Sequence, residues 1–147
     1  MIAGPIDDGR CFVCGPYNAE GLHVRFEPDG DGVRAHVTLP PRFQGWRGTA
    51  HGGVVMMLLD EAMAYACGAQ GERGMTAAMQ LRFHAPVPLG EPLTVTGSLK
   101  WKRRNVLALE AAVRNAAGDV LASAGGSFVS MGPLGKERLG IPDVRTG

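Results

Sequence analysis

Charge of either sign is what this chain has least to spare. Fifteen basic and fourteen acidic residues leave a formal net charge of +1, so bulk electrostatics imply neither a nucleic acid nor a charged membrane surface as partner. Cysteine is scarce as well: three in 147 residues, an odd number unlike a disulfide scaffold. No apolar run approaches the length of a membrane span. The opening Met1-Ile2-Ala3-Gly4-Pro5-Ile6-Asp7-Asp8 has neither the basic start nor the oily core of a signal peptide, and the expectation is a cytoplasmic protein. With 45% apolar residues the chain is not disordered. Its length fits one domain over residues 1–147, able to bury most of its apolar surface.

What the chain does have is turn formers and alternation. Glycine (22) and proline (10) predict many tight turns and suit a sheet-rich domain. From Met75 to His84 the odd positions are apolar (Met75, Ala77, Met79, Leu81, Phe83) and the even ones mostly polar. Leu93 to Lys102 repeats this, and Val106–Arg114 and Val120–Met131 follow across Asn115-Ala116-Ala117-Gly118-Asp119. Leu22–Phe26 and Val33–Leu39 also alternate, across Pro28-Asp29-Gly30-Asp31-Gly32, and Pro40-Pro41 ends the second of them. Residues 1–21 form an N-terminal segment, and 132–147 read as a loose tail.

Between the second and third strands lies His51-Gly52-Gly53, opening the apolar run Val54-Val55-Met56-Met57-Leu58-Leu59. A helix over roughly Gly52–Gly68 puts uncovered backbone N–H groups at its positive end, where a developing negative charge is accommodated. Asp60 follows two turns in, on a segment otherwise too oily to hold a carboxylate without a reason. The helix is apolar on nearly every side through its first turns, so it is expected to be surrounded. One buried helix with five or six mostly antiparallel strands predicts an α+β hotdog fold, the sheet curled around one long central helix. Unpaired sheet edges predict pairing with a second copy, as a homodimer or a dimer of dimers.

Phe43-Gln44-Gly45, Ala50-His51-Gly52-Gly53, Asp60-Glu61-Ala62, Met75-Thr76-Ala77 and Pro86-Val87-Pro88 together resemble the hotdog acyl-CoA thioesterases of the PaaI-like branch, including their mammalian mitochondrial relatives. The resemblance spans Phe43 to Met131. It implies that Asp60 serves as nucleophile or general base, that the Gly52 amide polarises the thioester carbonyl, and that Thr76 belongs to the catalytic set. Some relatives carry an Asn six residues before the His; here that position is Gly45, and neighbouring Gln44 is the residue able to offer an amide.

Helix geometry adds a constraint of its own. Gly52 and Asp60 are eight residues apart, roughly 12 Å along one helix, so they cannot meet at one carbonyl from a single chain. If they cooperate, the site lies between two subunits, twice per dimer. A thioester suits such parts, because its thiolate leaves easily and only an activated water or nucleophile plus oxyanion donors are needed. Burial is expected to raise the pKa of Asp60. The bland alternative makes Asp60 a structural hydrogen-bonding residue. Glu61 points about 100° away around the helix and is a lesser candidate. His51 either contacts substrate or fixes the loop through the backbone. Thr76 either orients water or is simply a polar strand residue, and Gly53 serves substrate or close packing.

Lys100, Lys102, Arg103 and Arg104 crowd one strand end and turn, where they either hold coenzyme A phosphates or form a solvated tip. Arg82 and His84 are candidates for the same task. Cys11-Phe12-Val13-Cys14-Gly15 offers half a zinc site, with His23 the nearest third ligand, or a redox pair, or a structural turn. The expectation is no metal and no cofactor beyond the coenzyme A of the substrate, with acyl-CoA as the small-molecule partner. An acyl-CoA-binding module without hydrolysis is the alternative. A hotdog dehydratase lacks its His/Asp or His/Glu pairing here.

Overall fold

The computed structural model describes residues 7–134. Six strands form one antiparallel sheet: β1 (Glu27–Asp29), β2 (Gly32–Thr38), β3 (Glu72–Phe83), β4 (Pro92–Arg103), β5 (Val106–Arg114) and β6 (Val120–Pro133). Their order across the sheet is β1-β2-β4-β5-β6-β3, so the strand leaving the helix is carried to the far edge. Among the described residues one α-helix, α1 (Gly52–Ala69), lies against β2 through β6. This is the hotdog arrangement, with the order of elements along the chain and the helix limits close to those expected.

The helix is not surrounded, however. Its buried residues are Val54, Val55, Leu58, Leu59, Ala62, Met63, Ala66 and Cys67, a stripe repeating every four residues. They meet Val95 of β4, Leu107, Leu109 and Val113 of β5, and Phe128 of β6 in one core. The opposite stripe, Met56, Met57, Asp60, Glu61 and Ala64, is only partly covered or exposed. One sheet folds around one side of a helix, which is why an all-round apolar sequence still leaves an open face. By length and composition α1 would also pass for a membrane span, against the expectation above. Its buried stripe identifies it as the core helix instead.

The helix approaches the sheet closely enough to need a missing side chain. A Cβ at Gly97 of β4 would run into the Ala62 carbonyl of α1. Gly97→Ala is therefore expected to lift the helix locally and lower stability by roughly 1–3 kcal/mol. The readout is a lower urea midpoint at unchanged slope; an unchanged midpoint would show that the helix has room to give.

Three strand expectations are corrected. Leu22–Phe26 lies outside the ladder: His23 takes a positive φ of 53°, and β1 pairs with β2 only from Glu27↔Arg34 to Asp29↔Gly32. Val24 and Phe26 still reach the core. In β3, register shifts at Glu72/Gly74 and Thr76/Ala78 interrupt the odd-inward pattern; beyond them Met79 and Leu81 pack against the core, while Met75 and Phe83 are half exposed. Trp101 also lies outside the core, past a bulge between Leu99 and Trp101. β6 runs on to Pro133, so the tail begins later than expected, and its remainder from residue 135 lies outside the described residues.

Candidate active site

The loop before α1 is built from its own backbone. Gly45 donates to Thr49 O at 2.9 Å, Ala50 donates to Val87 O at 2.8 Å, and His51 donates to Phe43 O at 2.9 Å. The Gln44 Oε1 accepts from the Gly48 N–H at 3.0 Å, so its amide oxygen helps close this loop. Gly45 faces His51 so closely that a Cβ there would sit 2.9 Å from its Cα. An amide side chain at this position would require the loop to shift away from His51.

His51 is the N-cap of α1, its Nδ1 accepting from the Gly53 N–H at 2.9 Å. In the neutral ring this places the proton on Nε2. Val54 and Val55 both donate to the His51 carbonyl. With Gly53, Val54 and Val55 engaged, the Gly52 N–H is the first-turn amide left without an acceptor among the described residues. It stands at the positive end of the helix, beside the ring of Phe83, which lies 3.7 Å from where a Gly52 Cβ would be. Phe83 is one of the apolar alternating positions of β3, and its half-exposed ring over the helix start is a feature the alternation alone conceals.

Asp60 and Thr76 meet. Thr76 Oγ1 donates to Asp60 Oδ1 at 2.6 Å, holding one carboxylate oxygen and leaving Oδ2 without a hydrogen bond among the described residues. The meeting follows from two rises. Asp60 lies nine residues before the end of α1, about 14 Å of helix. Thr76 lies four residues into β3, about 13 Å of strand, and the two elements run back along each other across a turn at Gln70-Gly71. Asp60 is half-buried on the open stripe, not enclosed as expected.

The remaining candidates are placed apart from this pair. Glu61 turns to the N-terminal segment, where Cys11 Sγ donates to its Oε1 at 3.6 Å. The sulfurs of Cys11 and Cys14 and a Glu61 carboxylate oxygen all lie within 4.8 Å of one another. His23, the expected third partner of the cysteines, instead bonds the Asn18 carbonyl. The Cys14 hydrogen bond draws the Cys11 thiol down to about 5, and the same bond, with burial, pushes Cys14 up. Burial and the nearby Glu72 charge push Cys67 up to about 11, which disfavours its thiolate.

Lys102 pairs with Glu72 at 2.9 Å, which ties the basic turn to the start of β3, and Arg103 lies over the Trp101 ring at 6.0 Å. Arg104 takes a positive φ of 56° in the two-residue turn. Arg82 pairs with Ser123 in register, and His84 Nε2 contacts Ser123 Oγ at 3.0 Å. Both lie near the far end of β3, about 33 Å of strand from Glu72. Within one chain the two basic groups cannot serve one phosphate.

The profile of the thioesterase superfamily matches residues 47–122. Among solved structures, a thioesterase superfamily protein is 36% identical, with 88% of this chain and 68% of that chain covered and a TM-score of 0.79. The PaaI protein from the phenylacetic acid degradation operon of E. coli is 23% identical over 76% and 82% of the two chains, TM-score 0.71. A hypothetical thioesterase of Streptococcus pneumoniae, solved with coenzyme A, is 20% identical over 76% and 91%, TM-score 0.71. That pneumococcal protein is also known with alanine at an aspartate and, separately, at a threonine sixteen positions further on. No curated protein matches the chain.

Proposed function

The chain belongs to the thioesterase superfamily, and from that premise we propose that it hydrolyses acyl-CoA thioesters to the free carboxylic acid and coenzyme A. The observation that carries this is the 2.6 Å hydrogen bond from Thr76 to Asp60 on the open face of α1. It fixes a carboxylate with one oxygen free, which is what a base or nucleophile beside a thioester requires. The same sixteen-residue separation joins the aspartate and threonine exchanged in the pneumococcal protein.

In the general-base form, Asp60 Oδ2 takes a proton from water while the oxygen of that water bonds to the thioester carbon. The carbonyl oxygen becomes an oxyanion held by the Gly52 N–H of the partner subunit. Collapse breaks the carbon–sulfur bond, and the proton on Asp60 passes to the departing thiolate. No metal or cofactor is required by this sequence of steps. Two copies meeting through the unpaired β3 edge would bring Met75, Phe83 and the open helix stripe together.

A panel of acyl-CoA esters, short, long and aryl, assayed for released thiol, tests the reading. Release with at least one class is expected. Binding without release across the panel would make the protein an acyl-CoA-binding module. The basic turn gives a second expectation: Arg103→Ala with Arg104→Ala should raise KM for acyl-CoA about tenfold, with small synthetic thioesters unaffected. Equal losses on both substrates would assign the turn a structural role.

A further inference from the structure

One cluster has no part in the hydrolysis above. Cys11, Cys14 and Glu61 converge from the N-terminal segment and from α1, fifty residues apart in sequence. The segment is folded for this. Gly15 donates to Cys11 O at 2.8 Å, Leu22 donates to Phe12 O at 3.0 Å, and Val24 donates to Val13 O at 2.9 Å. The Val13 N–H points at Cys11 Sγ at 3.4 Å, a backbone donor aimed at sulfur that favours its thiolate. A Cβ at Gly15 would collide with the Cys11 backbone, so the tight Cys-x-x-Cys-Gly loop admits only glycine there.

Each of the three groups is an anion when ionised, and crowding them is unfavourable unless protons or a cation sit between them. A tetrahedral cation with metal–sulfur bonds of about 2.3 Å and metal–oxygen bonds of about 2.0–2.2 Å sets sulfur and oxygen about 3.5 Å apart. Cys11 Sγ and Glu61 Oε1 stand 3.6 Å apart. Two thiolates and one carboxylate select a borderline-soft divalent ion over calcium or magnesium. We propose that Cys11, Cys14 and Glu61 bind one zinc-class divalent cation that clasps the N-terminal segment onto α1. Three protein ligands leave a fourth position for water, and all three, with Tyr65, line a cavity of about 1070 Å³ from which water can reach them. The role is independent of the reaction at Asp60, which α1 turns about 100° away from Glu61.

Cobalt(II) and zinc(II), added to the reduced, chelator-stripped full-length protein, test the site. One equivalent of cobalt should give intense visible bands of tetrahedral geometry and sulfur-to-metal charge transfer, both abolished by zinc. Zinc should also protect Cys11 from thiol reagents and raise Tm. Cys11→Ser should cut the charge-transfer intensity to half or less, since only the Cys14 thiolate remains. Glu61→Gln should keep some of it while weakening affinity about tenfold or more, and Asp60→Asn should bind as the unaltered protein does. No charge-transfer band in the reduced protein would overturn the proposal. So would a band unchanged in both Cys11→Ser and Glu61→Gln, or a Cys11–Cys14 disulfide whose reduction restores thiols but no metal uptake.

Discussion

Asp60→Asn is expected to cut turnover by about 10²-fold or more with KM little changed. The substitution is close to isosteric, and the Asn oxygen can still accept from Thr76 Oγ1, so the 2.6 Å contact has a successor. What disappears is the basic oxygen, worth about 2.7 kcal/mol of barrier at that rate loss. Thr76→Val removes the positioning donor instead and should cost less, with the carboxylate still present. Steady-state kinetics on the panel's preferred ester, with circular dichroism to show intact folding, reads both. Near-normal turnover in folded Asp60→Asn would remove Asp60 from the chemistry and leave the hydrolysis without its base. Glu61 could not inherit the role from its observed position, because its carboxylate faces Cys11.

A mixed dimer provides the second large effect. Gly52 and Asp60 occupy one unbroken helix, eight residues and roughly 12 Å apart. Gly52→Pro deletes the free N–H and little else. Proline is tolerated at the first helical position, and the residue before it must be extended, as His51 already is with φ −58° and ψ 137°. The contact awaiting a Cβ, with the Phe83 ring at 3.7 Å, is an ordinary one. Homodimers of Gly52→Pro or of Asp60→Asn should each show little activity. A co-expressed heterodimer holds one doubly defective site and one intact site, so about half of wild-type activity per dimer should return. Heterodimers confirmed by mass but inactive would place the whole site in one chain, and the Gly52 assignment would fall.

The parts of this architecture set by short-range pattern were readable before any coordinates. Val106–Arg114 alternates without interruption because β5 is central and packed on one face, and its limits are as expected. The Asp60–Thr76 contact was also within reach, since helix and strand rises from a shared turn are fixed by backbone geometry. Edges and tertiary contacts were not. Alternation in β3 cannot report the register shift at Thr76/Ala78, which depends on pairing with β6. The open stripe of α1 was hidden because Met56 and Met57 look like core residues whichever side the sheet takes. Glu61 gave no sign that its neighbour is Cys11, and His23 looked closer only because sequence separation is a poor guide once a loop doubles back.

The turn at Gln70-Gly71 touches neither Asp60 nor Thr76, yet it sets their meeting. Gly71 holds a positive φ of 80° there, and β3 starts at Glu72. Inserting one residue would slide Thr76 by about 3.3 Å and turn its side chain to the other face of the strand. Deleting one would do the same in the opposite direction. Drift in this chain should therefore accept new residue types at Gln70 more readily than a new loop length, and a loop-length library here should be sharply intolerant while remaining well folded. A site two turns of helix away behaves as though the turn were its ruler.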